Sequence, residues 1–429
     1  MNAGDKIKVY YKDSFFEGVL MPEEDSKFLF LKFDNGYNIG LKTSFIKKTV
    51  LVEKKKEAKE KQDKTVQKKN LPTIAILHTG GTIASKVDYS TGAVIAKFKE
   101  TDILRLFPEI KNIANIRSRL VRNMQSEMIR FSHYNILAEA IAQEVKKGVD
   151  GVILTHGTDT LHYTAAALSF VLENINIPVI LVGSQRSSDR GSTDAAVNLV
   201  AAAQFITKSD FSGVAICMHE NTCDDTCLII HGCKARKMHT SRRDAFRPIN
   251  TTAIARINIT NNKIIFLKDF EKKDENKELF LKLFDEKLKV GLVKSHVNMF
   301  ASEFLAYENF DGLVVELFGI GHIPTMKVDE FSAENEKIFL AIKKLAKKIP
   351  VVGTPQTIYG RVDMNVYSPG RDLINAGVLG NYSDMTPETT FIKLAWLLSN
   401  YKKENVKDLI VKNLRGELSE RIENNTFLV

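Results

Sequence analysis

Short, unbroken apolar runs separated by helix-length segments restrict this chain more than anything else in it. Thr73-Ile74-Ala75-Ile76-Leu77-His78 follows Pro72, and residues 151–154, Pro178–Val182 and 213–218 repeat the type. Residues 136–145, 160–172 and 194–206 read as helices. In the first of these, Ile136, Leu137, Ala140, Ile141 and Val145 recur at helical spacing. Continuous apolar strands alternating with helices predict a parallel sheet covered on both faces. Ligands of such sheets bind beyond the carboxyl ends of the strands.

Two of those ends carry chemistry. The first run leads into Thr79-Gly80-Gly81-Thr82-Ile83-Ala84-Ser85, where the glycines let the backbone turn and hold Thr82 just past the strand. Three readings stay open for Thr82: a structural turn, a phosphate cradle, and a nucleophile. The cradle is weak, because neither G-x-G-x-x-G nor a terminal Gly-Lys-Ser/Thr is present. The nucleophile needs an activating base and donors for an oxyanion. The second run ends in Leu154-Thr155-His156-Gly157-Thr158-Asp159-Thr160, again a strand closed by Gly and a hydroxyl, now with a carboxylate. Asp159 or Thr160 alone is a natural helix cap. Two Gly-Thr steps at one sheet edge would place two threonine hydroxyls near each other.

A base is still required. His78 and His156 precede their glycines and read as structural histidines. A lysine with burial or cationic neighbours is the alternative, and Lys237 in Ala235-Arg236-Lys237-Met238-His239-Thr240-Ser241-Arg242-Arg243 has those neighbours. The same segment reads equally as an RNA or phosphate patch.

The remaining sequence sets the frame. At 429 residues the chain holds two or three domains, with 44% apolar and 26% charged residues. No apolar run reaches the roughly 20 residues of a membrane span, and the N-terminus has no apolar signal core, so a cytoplasmic protein without membrane contact is expected. The formal charge of +9 permits an anionic partner such as RNA without requiring one. Cys217, Cys223, Cys227 and Cys233 cluster, but with no C-x-x-C pair. Ordinary thiols are favoured over a zinc site, and a reducing compartment disfavours a disulfide.

Residues 1–52 alternate short β-type runs with turn signals, Asn35-Gly36 among them. They predict a small all-β barrel of SH3-like size, a type that binds RNA or protein or is an inert addition. Residues 53–70 form a charged linker without an apolar stripe. Residues 71–272 form the larger α/β domain, ending in paired strands at 254–259 and 263–267. Residues 273–289 read as polar connection, with a helix start possible at 279–283. A smaller α/β domain spans 290–400, with strands at 290–293, 311–317 and 350–354 and helices at 333–348 and 388–398. Residues 401–429 read as a charged helical tail.

Together, the two glycine-threonine signatures resemble those of the bacterial-type L-asparaginase/glutaminase family, across most of residues 71–400. The N-terminal stretches Gly18-Val19-Leu20-Met21-Pro22 and Asp34 to Gly40, with the run from Arg236 to Arg247, are similar to one subfamily. Its members are the ammonia-producing subunits of archaeal tRNA-dependent amidotransferases. The resemblance implies two parallel-sheet α/β domains of asparaginase type behind the small barrel. It implies that Thr82 attacks a side-chain amide and forms an acyl-enzyme, and that Thr158, Asp159 and Lys237 form a second set in which the lysine takes a proton. Tyr89 matches a loop tyrosine of the family. Gln125 and Ser126, in Asn123-Met124-Gln125-Ser126-Glu127-Met128, lie where the family binds substrate. Asp159 with Gln125 and Ser126 would meet the ammonium and carboxylate of glutamine. Gly319-Ile320-Gly321-His322 resembles an element that reaches a neighbouring subunit's site, with His322 standing where free asparaginases have asparagine.

The implied activity is hydrolysis of glutamine, or asparagine, for the amidation of Glu-tRNA(Gln) to Gln-tRNA(Gln). The implied partner is a kinase/transamidase subunit that uses ATP and Mg2+ and holds tRNA(Gln). This chain itself needs no metal or cofactor. A homodimer core within a heterotetramer is expected. The alternatives are a free-standing L-asparaginase with an appendage and a non-catalytic RNA-binding scaffold. The barrel and linker argue against the first, and intact Thr82, Thr158, Asp159 and Lys237 against the second.

Overall fold

Five strands of the central sheet run parallel in the spatial order Asn115–Leu120, Thr73–His78, Gly151–Thr155, Pro178–Val182, Gly213–His219. The first strand in sequence, Thr73–His78, thus has its successor on one side and the third on the other. That reversal makes a topological switch point at the carboxyl ends of Thr73–His78 and Gly151–Thr155, where open α/β sheets bind ligands. Three antiparallel strands, Thr226–His231, Ala255–Asn258 and Lys263–Phe266, complete an eight-stranded sheet. The computed structural model describes residues 1–21, 27–34, 37–54, 68, 70–80, 86–87, 94–95, 108–186, 192–274 and 276–427, with backbone alone at 86–87 and 94–95.

The parallel strands are apolar because both faces are covered. Helices Phe131–Lys146 and Leu161–Val171 pack on one face, where Leu77, Val152, Leu154 and Leu181 are buried. Helix Ala195–Lys208 covers the other, over Ile74, Ile76, Ile153, Ile180 and Val182. Alternating residues of one strand therefore enter different cores, which is why no polar residue interrupts the runs.

The C-terminal lobe is a three-stranded parallel sheet, Val290–Lys294, Gly312–Leu317 and Val351–Pro355, with helices Ala301–Leu305, Ala333–Lys348 and Ser368–Ala376 around it. Helix Pro387–Asn400 joins the two α/β regions. Its Ile392, Leu394, Ala395, Trp396 and Leu397 belong to one core with Val314, Val352, Phe170 and Leu168. Trp396 is fully buried, 5.3 Å from the Phe170 ring, and its indole N–H donates to the Lys282 carbonyl at 3.0 Å. An aromatic side chain buried to this degree contributes on the order of 3 kcal/mol.

Residues 6–53 form a five-stranded antiparallel sheet whose strand order is Asn38–Lys42, Phe28–Lys32, Ser14–Leu20, Lys6–Tyr11, Ile46–Glu53. It encloses Ile7, Val9, Leu31 and Leu41. The Asn35-Gly36 turn and nearly all of the charged linker lie outside the described residues.

Several elements differ from sequence expectation. Asn115–Leu120 and Thr226–His231 are strands additional to those expected, although Cys227-Leu228-Ile229-Ile230 in the second is itself an unbroken apolar run. The first, Asn-Ile-Arg-Ser-Arg-Leu, is an edge strand whose arginines remove the apolar signal. The helix start at 279–283 is instead a strand, Phe280–Leu281, paired with Leu172–Glu173. The tail is not helical beyond the four residues Val406–Leu409 and short 3-10 turns. Tertiary bonds hold it instead: Glu417 is buried against Lys393 at 2.6 Å, and the Ser419 N–H donates to Asp384 at 3.0 Å.

Candidate functional site

Backbone bonds join the two signature turns. The Thr155 carbonyl accepts from the Thr79 N–H at 3.2 Å and from the Thr79 hydroxyl at 3.0 Å. The Thr79 carbonyl accepts from the Met124 N–H at 2.9 Å. Gly80 adopts φ +101°, and a Cβ there would lie 2.6 Å from the Met124 carbonyl oxygen, so only glycine fits. The loop carrying Gln125 and Ser126 is thereby tied to the end of Thr73–His78. Thr82 and Tyr89 lie outside the described residues.

Thr158, Asp159 and Lys237 come together. Lys237 ends a short strand, Ala235–Lys237, paired antiparallel with Phe246–Pro248. Its ammonium donates to the Thr158 hydroxyl at 2.9 Å and to the Asp159 carboxylate at 2.8 Å. Thr158 is buried and Asp159 exposed, so the trio spans the boundary between protein and solvent. Gln125 is exposed and precedes the 3-10 turn Ser126–Met128. Ser126 is buried, and its carbonyl accepts from the Thr160 hydroxyl at 2.7 Å. A Cβ on Gly157 would sit 2.8 Å from Ser126 Cβ, so the second signature packs directly on the Gln125–Ser126 element.

His78 and His156 are structural. His78 bonds the Thr155 and Ser118 hydroxyls at 2.8 and 3.0 Å. His156 bonds the Gly157 carbonyl at 2.7 Å and the Thr164 hydroxyl at 2.9 Å. Burial pushes both imidazoles down to about 4, so they are neutral at pH 7.

A third strand end contributes residues that sequence reading missed. After Pro178–Val182, Gly183 approaches Thr158 so closely that a Cβ would lie 2.7 Å from its methyl. The Thr158 hydroxyl donates to Gln185 Oε1 at 3.5 Å. Fully buried Asp194 fixes this turn by accepting from Ser184 Oγ at 2.8 Å and from the Gln185 and Arg186 N–H groups at 3.0 Å. The signal was available: Gly183 closes an apolar strand as Gly80 and Gly157 do. Lys234, three residues before Lys237, is buried and paired with Asp384 at 2.7 Å, which anchors the hairpin to the C-terminal lobe.

Among the described residues no group of three or more His, Cys, Asp or Glu is arranged to hold a metal ion. The four cysteines are free, with Cys217, Cys227 and Cys233 buried and Cys223 exposed. No described helix is long and apolar enough to cross a membrane. His322 lies in the C-terminal lobe, where Phe318 and His322 form an isolated bridge and the imidazole packs edge-on against Tyr367 at 5.5 Å.

Comparison with known proteins agrees with this layout. Residues 73–271 match the family model "Asparaginase, N-terminal", residues 289–409 "Glutaminase/Asparaginase C-terminal domain", and residues 1–52 "GatD N-terminal domain". The chain is similar to the D subunit of glutamyl-tRNA(Gln) amidotransferase from Methanococcus maripaludis, with 40% identity over 98% of this chain and 99% of that one. It is 42% identical to the same protein of Pyrococcus furiosus, over 96% and 93% of the two chains. Among solved structures, the thermostable L-asparaginase from Thermococcus kodakarensis superimposes with a TM-score of 0.71 at 30% identity, covering 81% of this chain and all of that one. L-asparaginase I from Vibrio cholerae gives 0.70 at 26% identity, over 81% and 99%.

Proposed function

The chain belongs to the family of glutamyl-tRNA(Gln) amidotransferase D subunits, and from that premise we propose that it is the glutamine-hydrolysing subunit of a tRNA-dependent amidotransferase. The observation that carries the reading is Lys237, held between the Thr158 hydroxyl and the Asp159 carboxylate at 2.9 and 2.8 Å beside the switch point of the sheet. A lysine bonded to a buried hydroxyl at the ligand-binding edge is suited to proton transfer in acyl chemistry.

In this mechanism Thr82 is the nucleophile. Its oxygen adds to the side-chain carbonyl carbon of glutamine, and its proton passes to a base. The C–N bond then breaks, the nitrogen takes a proton and leaves as ammonia, and an acyl ester remains on Thr82. In the second step Lys237 acts as the neutral amine: it takes a proton from water through Thr158, the hydroxide adds to the ester carbon, and the Thr82 oxygen leaves and recovers that proton, giving glutamate and free Thr82. Backbone N–H groups of the glycine turns stabilise the oxyanion without loss of side-chain entropy. Gln125, Ser126 and Asp159 hold the ammonium and carboxylate of the substrate, with Tyr89 as a further substrate-binding residue. The ammonia goes to a kinase/transamidase partner subunit, which uses ATP and Mg2+ to activate Glu-tRNA(Gln) and carries most of the tRNA(Gln) contact. We place the complex in the cytoplasm, with a homodimer of this chain inside a heterotetramer. The chain divides into barrel (1–52), linker (53–70), two α/β domains (71–272 and 290–400) and tail (401–429).

The test is ammonia release from glutamine by the chain alone, then with its partner subunit and Glu-tRNA(Gln), for wild type and Thr82→Ala. The expected result is strong activation in the complex and loss of about 10³-fold or more in the variant. Full activity of the isolated chain would favour a free amidohydrolase, and an active Thr82→Ala would remove Thr82 as nucleophile.

A further inference from the structure

Arg236 precedes Lys237 on the strand Ala235–Lys237, so the two side chains leave the strand on opposite faces. Lys237 faces Thr158 and Asp159. Arg236 turns the other way and pairs with Glu388 of the C-terminal helix, Nη2 to Oε1, at 3.2 Å. The same Glu388 oxygen lies 3.8 Å from His162 Nε2. His162 sits three residues after Asp159, in the first turn of helix Leu161–Val171. Its ring also packs edge-on against Phe246 at 6.3 Å, and Phe246 is the cross-strand partner of Lys237. One buried carboxylate therefore touches both the strand that carries the lysine and the helix that follows the threonine–aspartate pair.

Glu388 is paired through one oxygen only. Its second oxygen, Oε2, is buried without a hydrogen-bond partner among the described residues, and so is His162 Nδ1. The unsatisfied oxygen forgoes a hydrogen bond that a fully paired carboxylate would make. The place of Glu388 in the first helical turn does not require burial, because a solvent-facing acid would serve the helix dipole equally. Burial alone would raise the Glu388 carboxyl, yet the His162 contact and the Arg236 charge hold it down to about 2. The carboxylate is thus charged at neutral pH.

We propose that Glu388 is a positioning residue for amide hydrolysis: by clasping Arg236 and His162 it holds the Lys237 strand in register with Thr158 and Asp159. The two arms of the site come from segments almost 80 residues apart in sequence, and the carboxylate that joins them comes from the other lobe. The inference rests on the reading of Lys237 given above. A displacement of Lys237 by a fraction of an ångström would lower turnover while leaving the Gln125–Ser126 contacts to substrate in place.

The experiment uses the complete complex and measures kcat, KM, the pH profile of kcat/KM and Tm for Glu388→Gln, Arg236→Gln and the double variant. Lys237→Met and Leu345→Ala are the controls; Leu345 lies in the core of the same lobe, away from the hairpin. The expected result is a kcat lower by about 10- to 100-fold with KM little changed, a displaced limb in the pH profile, and a double variant no worse than the poorer single. Leu345→Ala should lower Tm without moving the pH profile. Should Glu388→Gln fail to fold, Arg236→Gln carries the test, because Arg236 is partly exposed. Unchanged kcat in Glu388→Gln and Arg236→Gln with an inactive Lys237→Met overturns the inference and leaves the glutaminase reading standing. An active Lys237→Met overturns the reading on which it rests. Losses of kcat that merely track Tm, as in Leu345→Ala, reduce Glu388 to a structural role and also overturn it.

Discussion

His78 and His156 each stand one or two residues before the glycine of a signature turn, and both serve architecture. Each uses its two ring nitrogens to bond groups inside the sheet edge, and burial lowers both to about 4. The native state consequently binds fewer protons than the unfolded chain between pH 6.5 and 4. Stability is complete above the unfolded value and falls as pH drops through that window. Each histidine should remove up to about 3 kcal/mol by its lower end. Urea unfolding at pH 7 and pH 5 checks this: the midpoint is expected to fall at pH 5, and equal midpoints would refute it.

At the scale of elements, the site is three strand ends pressed together by glycines. Gly80 admits the Met124 backbone, Gly157 admits Ser126, and Gly183 admits Thr158. Each contact is too close for a Cβ, so each turn is specified by what lies beside it. Gly157→Ala places a methyl 2.8 Å from Ser126 Cβ and 2.9 Å from its hydroxyl, and buried Ser126 must move. The cost to stability should be about 1–3 kcal/mol. Because Ser126 belongs to the substrate-binding element proposed above, KM for glutamine should rise more than kcat falls. Thermal unfolding with steady-state kinetics measures both, and an unaltered KM would show that the Ser126 segment does not hold substrate.

At the scale of the molecule, buried charges hold the tail and the C-terminal lobe against the large domain. Lys393 and Glu417 are both fully buried at 2.6 Å. Lys393 also donates to the Ile410 and Lys412 carbonyls, and Glu417 accepts from the Leu414 and Arg415 N–H groups. Glu417→Gln keeps the shape but leaves the lysine without its counter-charge. Breaking such a pair should cost about 3–5 kcal/mol. Hydrogen exchange should then quicken in residues 410–427 before it does in the central sheet, and an unchanged tail exchange rate would contradict this strap. Asp384 accepts from Ser419 and pairs with Lys234, so the strap is linked to a residue three positions before Lys237.

Much of this was legible in the linear chain. The apolar runs at Thr73–His78, Gly151–Thr155 and Pro178–Val182 specify parallel strands because both their faces are buried, and Gly-Thr steps after two of them mark the binding edge. The fold class, the two α/β regions and the membership of Thr158, Asp159 and Lys237 in one site follow from such local signals and the resemblance they carry. Strand Asn115–Leu120 was hidden because an edge position tolerates Arg117 and Arg119. The tail reads as helical in sequence because charge composition does not reveal a buried partner for Glu417. Gln185, Lys234, Asp384 and Glu388 were invisible as site neighbours for a related reason, as was the pairing of Arg236. Their roles depend on which side chain lies across from them, at 2.7 Å for Lys234 and Asp384 and 3.2 Å for Arg236 and Glu388. Periodicity and turn chemistry are properties of neighbours along the chain, so the sequence by itself determined the elements and the strand edge. Which charge meets which, between segments more than a hundred residues apart, is decided only when the two lobes pack.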